Sequence, residues 1–316
     1  MPDNICCKDS SSDANEHLYG TAPKVDNWLL LEYPEHWEKE SLEKSSIPGP
    51  VKEELNKCLE SLENSRLQLI QRDNNSDGPI NFYYIKSTEI EPKSYHFQIN
   101  SYEELIELDL INLLENGDLS DSETDEKIVL VCTHGAYDSC CGKFGVPVYK
   151  ELEKKSKLSV WKSTHVGSHR FSANIVMLPE GVYYGRVSPE NVSEIAETHL
   201  KGEIAIDNYR GRCCFRQAAQ VSDYFLRKQL GENGLHVKGI YEIEWVYEKE
   251  RYEHTSVEFL VEKFNLVYSV NTMVMNSAIK VRTSCTDSEP ESIPQFYFYS
   301  IIPYEPEPEE EHAGQE

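Results

Sequence analysis

The 316-residue chain lacks any stretch of about 18 consecutive apolar residues, the least that a helix needs to cross a bilayer. Its opening, MPDNICCKDSSSDANE, has neither the basic flank nor the apolar centre of a secretory signal, so a cytoplasmic location is expected. Positive charge is also scarce. There are 55 Asp and Glu against 31 Lys and Arg, and the net charge of -24 repels phosphate backbones and anionic lipid. Nucleic acid and membrane surfaces are thereby excluded as expected partners, whereas a protein with a basic face suits such a surface. No Cys-x-x-Cys occurs, which leaves ordinary thiol–disulfide exchange without its motif. Nor does any pair of carboxylates stand out as the acid and nucleophile of a glycosidase.

What the chain does have is nine cysteines. That is an odd number for a disulfide framework, and in a compartment that keeps thiols reduced it points to metal or redox chemistry. Three of them fall within ten residues in VCTHGAYDSCCGKFG, residues 131–145.

The pattern of apolar residues predicts an α/β protein. Residues 1–18 read as a disordered leader. NWLLLEYP then reads as a buried strand, and after IPGP the residues Val51, Leu55, Cys58, Leu59 and Leu62 share one helical face. RLQLIQR, INFYYIKS and SYHFQIN are strand-like. Ser101 with Glu104 forms a capping-box pattern ahead of a helix whose Leu105 and Leu108 face inward. This βαβββα order fills residues 19–120 and recurs over 127–205, after the acidic stretch ENGDLSDSETDEK. There KIVLVCTHG is a strand, Pro147 to Leu152 a helix, LSVWKST a strand, and NIVMLPEG with VYYGRV a hairpin. Ser188-Pro189 opens a last helix carrying Val192, Ile195 and Ala196. The expected fold is two tandem thioredoxin-like units. Over 206–303, a helix with Ala218, Val221, Phe225 and Leu226 precedes an antiparallel β extension made of KGIYEIEWVYEKE, TSVEFLVEKFNLVYSV and TMVMNSAIKVRTS. Residues 304–316 form an acidic tail that is expected to be disordered.

Cys132 falls where the first strand of the second unit ends, and Cys140 and Cys141 just before a helix. Ligands gather at the C-terminal ends of strands in open α/β sheets, and a helix N-terminus lowers a thiol pKa. The loop after the neighbouring strand, STHVGSHRF, adds His165 and His169 with Gly167 between them, completing Cys-x8-Cys and His-x3-His. Adjacent residues point in different directions, so spacing alone leaves Cys140 and Cys141 open. Asp138 and Ser139 read as loop formers, His134 beside Gly135 as a turn residue, and Cys213-Cys214 as a packed helix start. Arg210 and Arg212 are placed to offset charge or meet a partner, and Arg170 and Arg186 to form ion pairs.

CTHGAYDSCCGKFGVP, HVGSHRF followed by NIVMLPEGVYYGRV, and YRGRCC with RQAA resemble the sucrase/ferredoxin-like family, which includes bishistidinyl 2Fe-2S proteins of fungi. GTAPKVDNWLLLEYP is similar to the family's opening, so the resemblance runs from about Tyr19 to Leu230. It implies a 2Fe-2S cluster held by Cys132, Cys141, His165 and His169, in a thioredoxin-like ferredoxin unit that carries electrons or senses redox state. A redox partner protein is implied with it. The chain departs from the family at Ser168, where a second glycine is usual. Two alternatives stand beside this reading. One is a structural zinc ion on the same two Cys and two His, although zinc modules bring their thiolates two to four residues apart. The other is a thiol–disulfide oxidoreductase.

Overall fold

The computed structural model describes residues 6–73, 78–231, 238–239, 247–249 and 252–306. Its first element corrects the expectation of a disordered leader over residues 6–18, because Cys7–Asp13 form a helix, α1; residues 1–5 lie outside the described residues. Tertiary contacts override the polar composition here. Cys7 and Ser11 are fully buried, Arg186 donates to the carbonyls of Ser11 and Glu16, and Arg170 Nε lies 2.9 Å from the buried Glu16 carboxylate.

The first unit runs β1 (Asn27–Glu32), α2 (Gly49–Ser61), β2 (Ser65–Gln71), β3 (Ile80–Lys86), β4 (Lys93–Ile99), α3 (Glu104–Glu107) and α4 (Leu110–Asn116). β1 pairs in parallel with β2 and antiparallel with β3, and β3 pairs antiparallel with β4. The second unit repeats this as β6 (Ile128–Cys132), α5 (Ser139–Lys155), β7 (Ser159–Ser163), β8 (Ile175–Leu178), β9 (Val182–Tyr184) and α6 (Val192–Leu200). Again the first two strands are parallel and the hairpin joins the first strand antiparallel. Both units therefore have the thioredoxin arrangement, in which the strand order is fourth, third, first, second. They fuse through their second strands, β2 against β7, and with β5 (Glu123–Thr124) and β10 (Tyr209–Arg212) at the edges they make one ten-stranded sheet.

Alternation along β1 and β6 builds three apolar layers. Leu29 and Leu31 face α2 with Val51, Leu55 and Cys58. Val129 and Val131 face α5 and α6 with Val148, Tyr149, Leu152 and Ile195. Trp28 and Leu30, together with Ile128, Leu130 and Cys132, point the other way into a cluster that both units share.

Several boundaries differ from the sequence pattern. Ser101 does not cap α3; the Glu104 carboxylate instead accepts from the Asn100 amide, and Leu108 is exposed while Leu105 is buried. The acidic stretch after α4 is tied down by β5 and by buried Leu119. Pro147 lies inside α5, which starts at Ser139 because the Asp138 side chain caps it. α6 begins at Val192, beyond Pro189. β10, formed by YRGR, was not expected as a strand.

After β10, α7 (Gln217–Leu230) packs Ala219, Val221, Phe225 and Leu226 onto a second, antiparallel sheet. That sheet consists of β11 (Lys238–Gly239), β12 (Tyr247–Lys249), β13 (Tyr252–Val261), β14 (Leu266–Val281) and β15 (Glu291–Tyr304). β14 joins LVYSV to TMVMNSAIKV in one long strand, and the break falls earlier, between Val261 and Leu266. β15 adds a strand within the expected β extension that the sequence pattern did not single out, and claims Tyr304 from the expected tail; residues 307–316 of that tail lie outside the described residues. Most of KGIYEIEWVYEKE also lies outside them.

Candidate metal centre

Residues at the C-terminal ends of the parallel strands β6 and β7 form the site. β6 ends at Cys132, whose amide donates to the Asn174 carbonyl, and the chain then turns through THGAYD into α5. Two glycines let the helix come this close. An ideal Cβ on Gly145 would lie 2.0 Å from the Cys132 carbonyl oxygen, and one on Gly142 would lie 3.0 Å from the Gly135 Cα. The approach sets Cys141, in the first turn of α5, against the end of β6. From the loop after β7, His165 completes the group: its Nδ1 is 3.5 Å from Cys141 Sγ and 4.0 Å from Cys132 Sγ. The three donor atoms all lie within 4.8 Å of one another.

His169 comes close without joining that group. Its ring centroid is 5.2 Å from that of His165, and its Nε2 is 3.5 Å from Asp138 Oδ2. Both of its ring nitrogens are buried and neither makes a well-formed hydrogen bond. Gly167 and Ser168 give the loop this shape, with φ of 114° and 53°. Glycine alone enters such conformations without a steric penalty, so Ser168 is the strained member of the pair.

The electrostatics favour one negative charge on the thiol pair. Hydrogen bonding from Cys141, and after it His165, holds Cys132 well below the usual thiol range, whereas the Cys141 thiol is pushed up by its bond to Cys132 and by burial. Burial also lowers the pKa of His169 and of His134, favouring the neutral imidazole in both.

Neighbouring residues fix the donors. The His165 amide donates to His134 Nδ1, and His134 Nε2 is 2.8 Å from the Glu38 carbonyl, so His134 supports a ligand loop as well as shaping a turn. Arg66 donates to the His165 carbonyl. Arg210, fully buried, donates to the Gly167 carbonyl and to Asn174 Oδ1, which makes it a loop clamp. Arg212 instead donates to the carbonyls of Thr88 and Glu89, and Arg170 and Arg186 hold the N-terminal segment. Cys213 packs beside Gly181 and Ser87 in the shared core.

Two residues escaped the sequence reading. Tyr137 stacks on His165 at 4.0 Å with ring planes 9° apart, and it is 39% exposed, so it lies between the site and solvent. Asp138, expected only to form the loop, caps α5 through the Cys140 amide and also accepts from Ser284 Oγ and the Cys285 amide. The motif S-x-x-E-like cap signals do not cover this case, but an Asp one residue before a helix is an N-cap signal in its own right.

Two thioredoxin-like units fused edge to edge, the second with a Cys/His ligand group at its strand ends, define the class. A sucrase/ferredoxin-like family model matches residues 18–211, more than half of the chain, and the protein belongs to that family. Relatives match over less. A Meyerozyma guilliermondii protein called altered inheritance of mitochondria protein 32 is 35% identical over 105 residues, 30% of this chain and 37% of that protein. The chain thus spans little more than a third of that relative's length. A 2Fe-2S ferredoxin of Aquifex aeolicus is 61% identical over 28 residues, 9% of this chain and 25% of the ferredoxin. The solved structure of the wild-type thioredoxin-like 2Fe-2S ferredoxin from Aquifex aeolicus aligns with 26% identity and a TM-score of 0.25, covering 27% of this chain and 97% of the ferredoxin.

Proposed function

We propose that the protein binds a 2Fe-2S cluster through Cys132, Cys141, His165 and His169 and uses it to carry electrons or to sense redox state. The observation that supports this most is the convergence of the Cys132, Cys141 and His165 donor atoms, with the His169 ring 5.2 Å from that of His165 and its nitrogens buried without a well-formed hydrogen bond. Two sulfur and two nitrogen donors suit such a cluster.

When bound, the cluster supplies one-electron chemistry, and exchanging two thiolates for two imidazoles raises the potential from roughly -400 mV to between about -150 and +300 mV in Rieske centres. The residues do the rest. Cys132 and Cys141 are buried, whereas His165 and His169 are partly exposed, so the histidine edge faces a partner. Tyr137 covers His165 on that side and limits water. Asp138 Oδ2, 3.5 Å from His169 Nε2, would orient that imidazole toward the cluster. A redox protein in a reducing compartment such as the cytosol completes the proposal.

Iron and acid-labile sulfide measured on anaerobically purified full-length protein test it. Equal iron and sulfide are expected in the native chain, with both reduced more than tenfold in Cys132→Ser and Cys141→Ser. Iron at background level in the native chain after anaerobic reconstitution overturns the reading.

A further inference from the structure

Three cysteines that the cluster does not use meet at one point. Cys7 comes from α1, Cys140 from the first turn of α5, and Cys285 from the loop after β14. Their Sγ atoms form a nearly equilateral triangle, 3.5 Å from Cys7 to Cys140, 3.2 Å from Cys140 to Cys285 and 3.5 Å from Cys285 to Cys7. The Asp138 carboxylate is a fourth donor within 4.8 Å of all three, with Oδ1 3.9 Å from Cys7 Sγ. From this geometry we infer a second metal site, in which Cys7, Cys140, Cys285 and Asp138 bind one zinc-class divalent cation next to the cluster ligands.

Packing does not account for the triangle. Cys58, Cys132, Cys141 and Cys213 all belong to apolar core clusters, as buried free cysteines usually do, but Cys7, Cys140 and Cys285 belong to none. Cys7 and Cys140 are nonetheless completely buried. A zinc ion with sulfur bonds of about 2.3 Å in a tetrahedron sets sulfurs about 3.8 Å apart, so the edges of the triangle need to open by about 0.3 to 0.6 Å. A disulfide, at about 2.05 Å, would require one edge to close by more than an ångström.

The surroundings are those of a prepared site. Asp138 fixes two ligand backbones at once, taking the Cys140 amide on Oδ1 and the Cys285 amide with Ser284 Oγ on Oδ2. The Cys285 side is partly exposed and gives an ion a way in. Each thiol that binds releases its proton to solvent, and the bound cation then ties the N-terminal helix, α5 and the C-terminal extension together. This assigns the extension a purpose: it delivers Cys285 and locks α1 over the His169 turn.

Full-length protein stripped with chelator and kept under reductant, titrated with zinc against a chromophoric zinc indicator, tests the inference. The native chain is expected to withdraw one zinc from the indicator, as is the Cys132→Ser/Cys141→Ser double variant, which has no cluster. Cys7→Ser and Cys285→Ser should bind at least 100-fold more weakly yet keep the iron spectrum of the native protein. Zinc should raise the melting temperature of the native chain and leave that of Cys285→Ser unchanged; because Cys285 sits in a partly exposed loop, this variant retains its fold. Uptake by the native chain no tighter than by Cys285→Ser overturns the site, as does uptake that disappears with Cys132 and Cys141 but survives loss of Cys7. A Cys140–Cys285 disulfide in protein prepared without oxygen overturns it as well.

Discussion

The Asp138 carboxylate stands 3.5 Å from Nε2 of His169 while its oxygens hold the backbone amides of Cys140 and Cys285. One side chain thereby joins the start of α5, the histidine loop and the C-terminal extension. Burial pushes its pKa up, but the Cys285 and Cys140 amides outweigh this and keep it below the usual carboxylate value. Asp138→Ala removes an N-cap, about 1 kcal/mol, and strands the Cys285 amide, about 1–3 kcal/mol more. Urea denaturation is expected to show a loss of about 2–4 kcal/mol, with Asp138→Asn losing less than half as much because its amide oxygen still accepts. Native-like stability in Asp138→Ala would show that the cap and the loop anchor are dispensable.

Gly145 allows α5 to rest on the end of β6. A methyl group there would meet the Cys132 carbonyl oxygen at 2.0 Å, so Gly145→Ala must push the helix away from the strand and separate Cys141 from Cys132. A destabilisation of about 2 kcal/mol or more is expected, together with loss of most bound iron. Circular dichroism melting and iron analysis check the two effects separately. A Gly145→Ala protein with full iron content would mean that the thiol pair does not depend on this contact.

How much of this was legible follows from the type of residue involved. NWLLLE, INFYYIK and IVLVC announced strands because four or more apolar residues in a row bury both faces, and the repeated βαβββα order follows from them. Cys132, Cys141 and His165 were found from spacing and family resemblance, and the structure brings them together; it sets His169 beside them, turned toward Asp138. The start of α5 was misplaced because Pro147 reads as a first-turn residue, although Asp138 had already capped the helix. Strand β15 was missed because Pro294 and Pro303 interrupt the pattern, and both are accommodated on an edge strand. The Cys7–Cys140–Cys285 triangle has no sequence signature at all, since its members are more than 130 positions apart.

Ser168 occupies the left-handed region at φ 53°, a conformation that costs a non-glycine residue about 1 kcal/mol. Ser168→Gly should therefore stabilise the protein by about 0.5–1 kcal/mol and raise its melting temperature by a few degrees, leaving iron content unchanged. An unchanged or lower melting temperature would show that the serine makes a compensating contribution.

Glu180 provides a pH test outside the candidate metal centre. Burial raises its pKa, but His199, with Nε2 3.4 Å from Oε2, and Lys127 more than offset this and hold it at about 2, against 4.5 when unfolded. A depressed carboxyl pKa contributes stability that is present above pH 4.5 and is lost as the pH falls toward 2. Glu180→Gln is expected to lose about 2 kcal/mol at pH 6 and to match the native chain at pH 2. Parallel stability curves across that range would contradict the assignment.

The central claim, a cluster with two imidazole ligands, is tested most directly by pulsed electron paramagnetic resonance of the dithionite-reduced full-length protein. The account predicts the signal of a reduced 2Fe-2S cluster with strong couplings to two nitrogen nuclei, one of which disappears in His165→Cys and the other in His169→Cys. A signal without strong nitrogen coupling, or a colourless protein with zinc bound at Cys132 and Cys141, would contradict it.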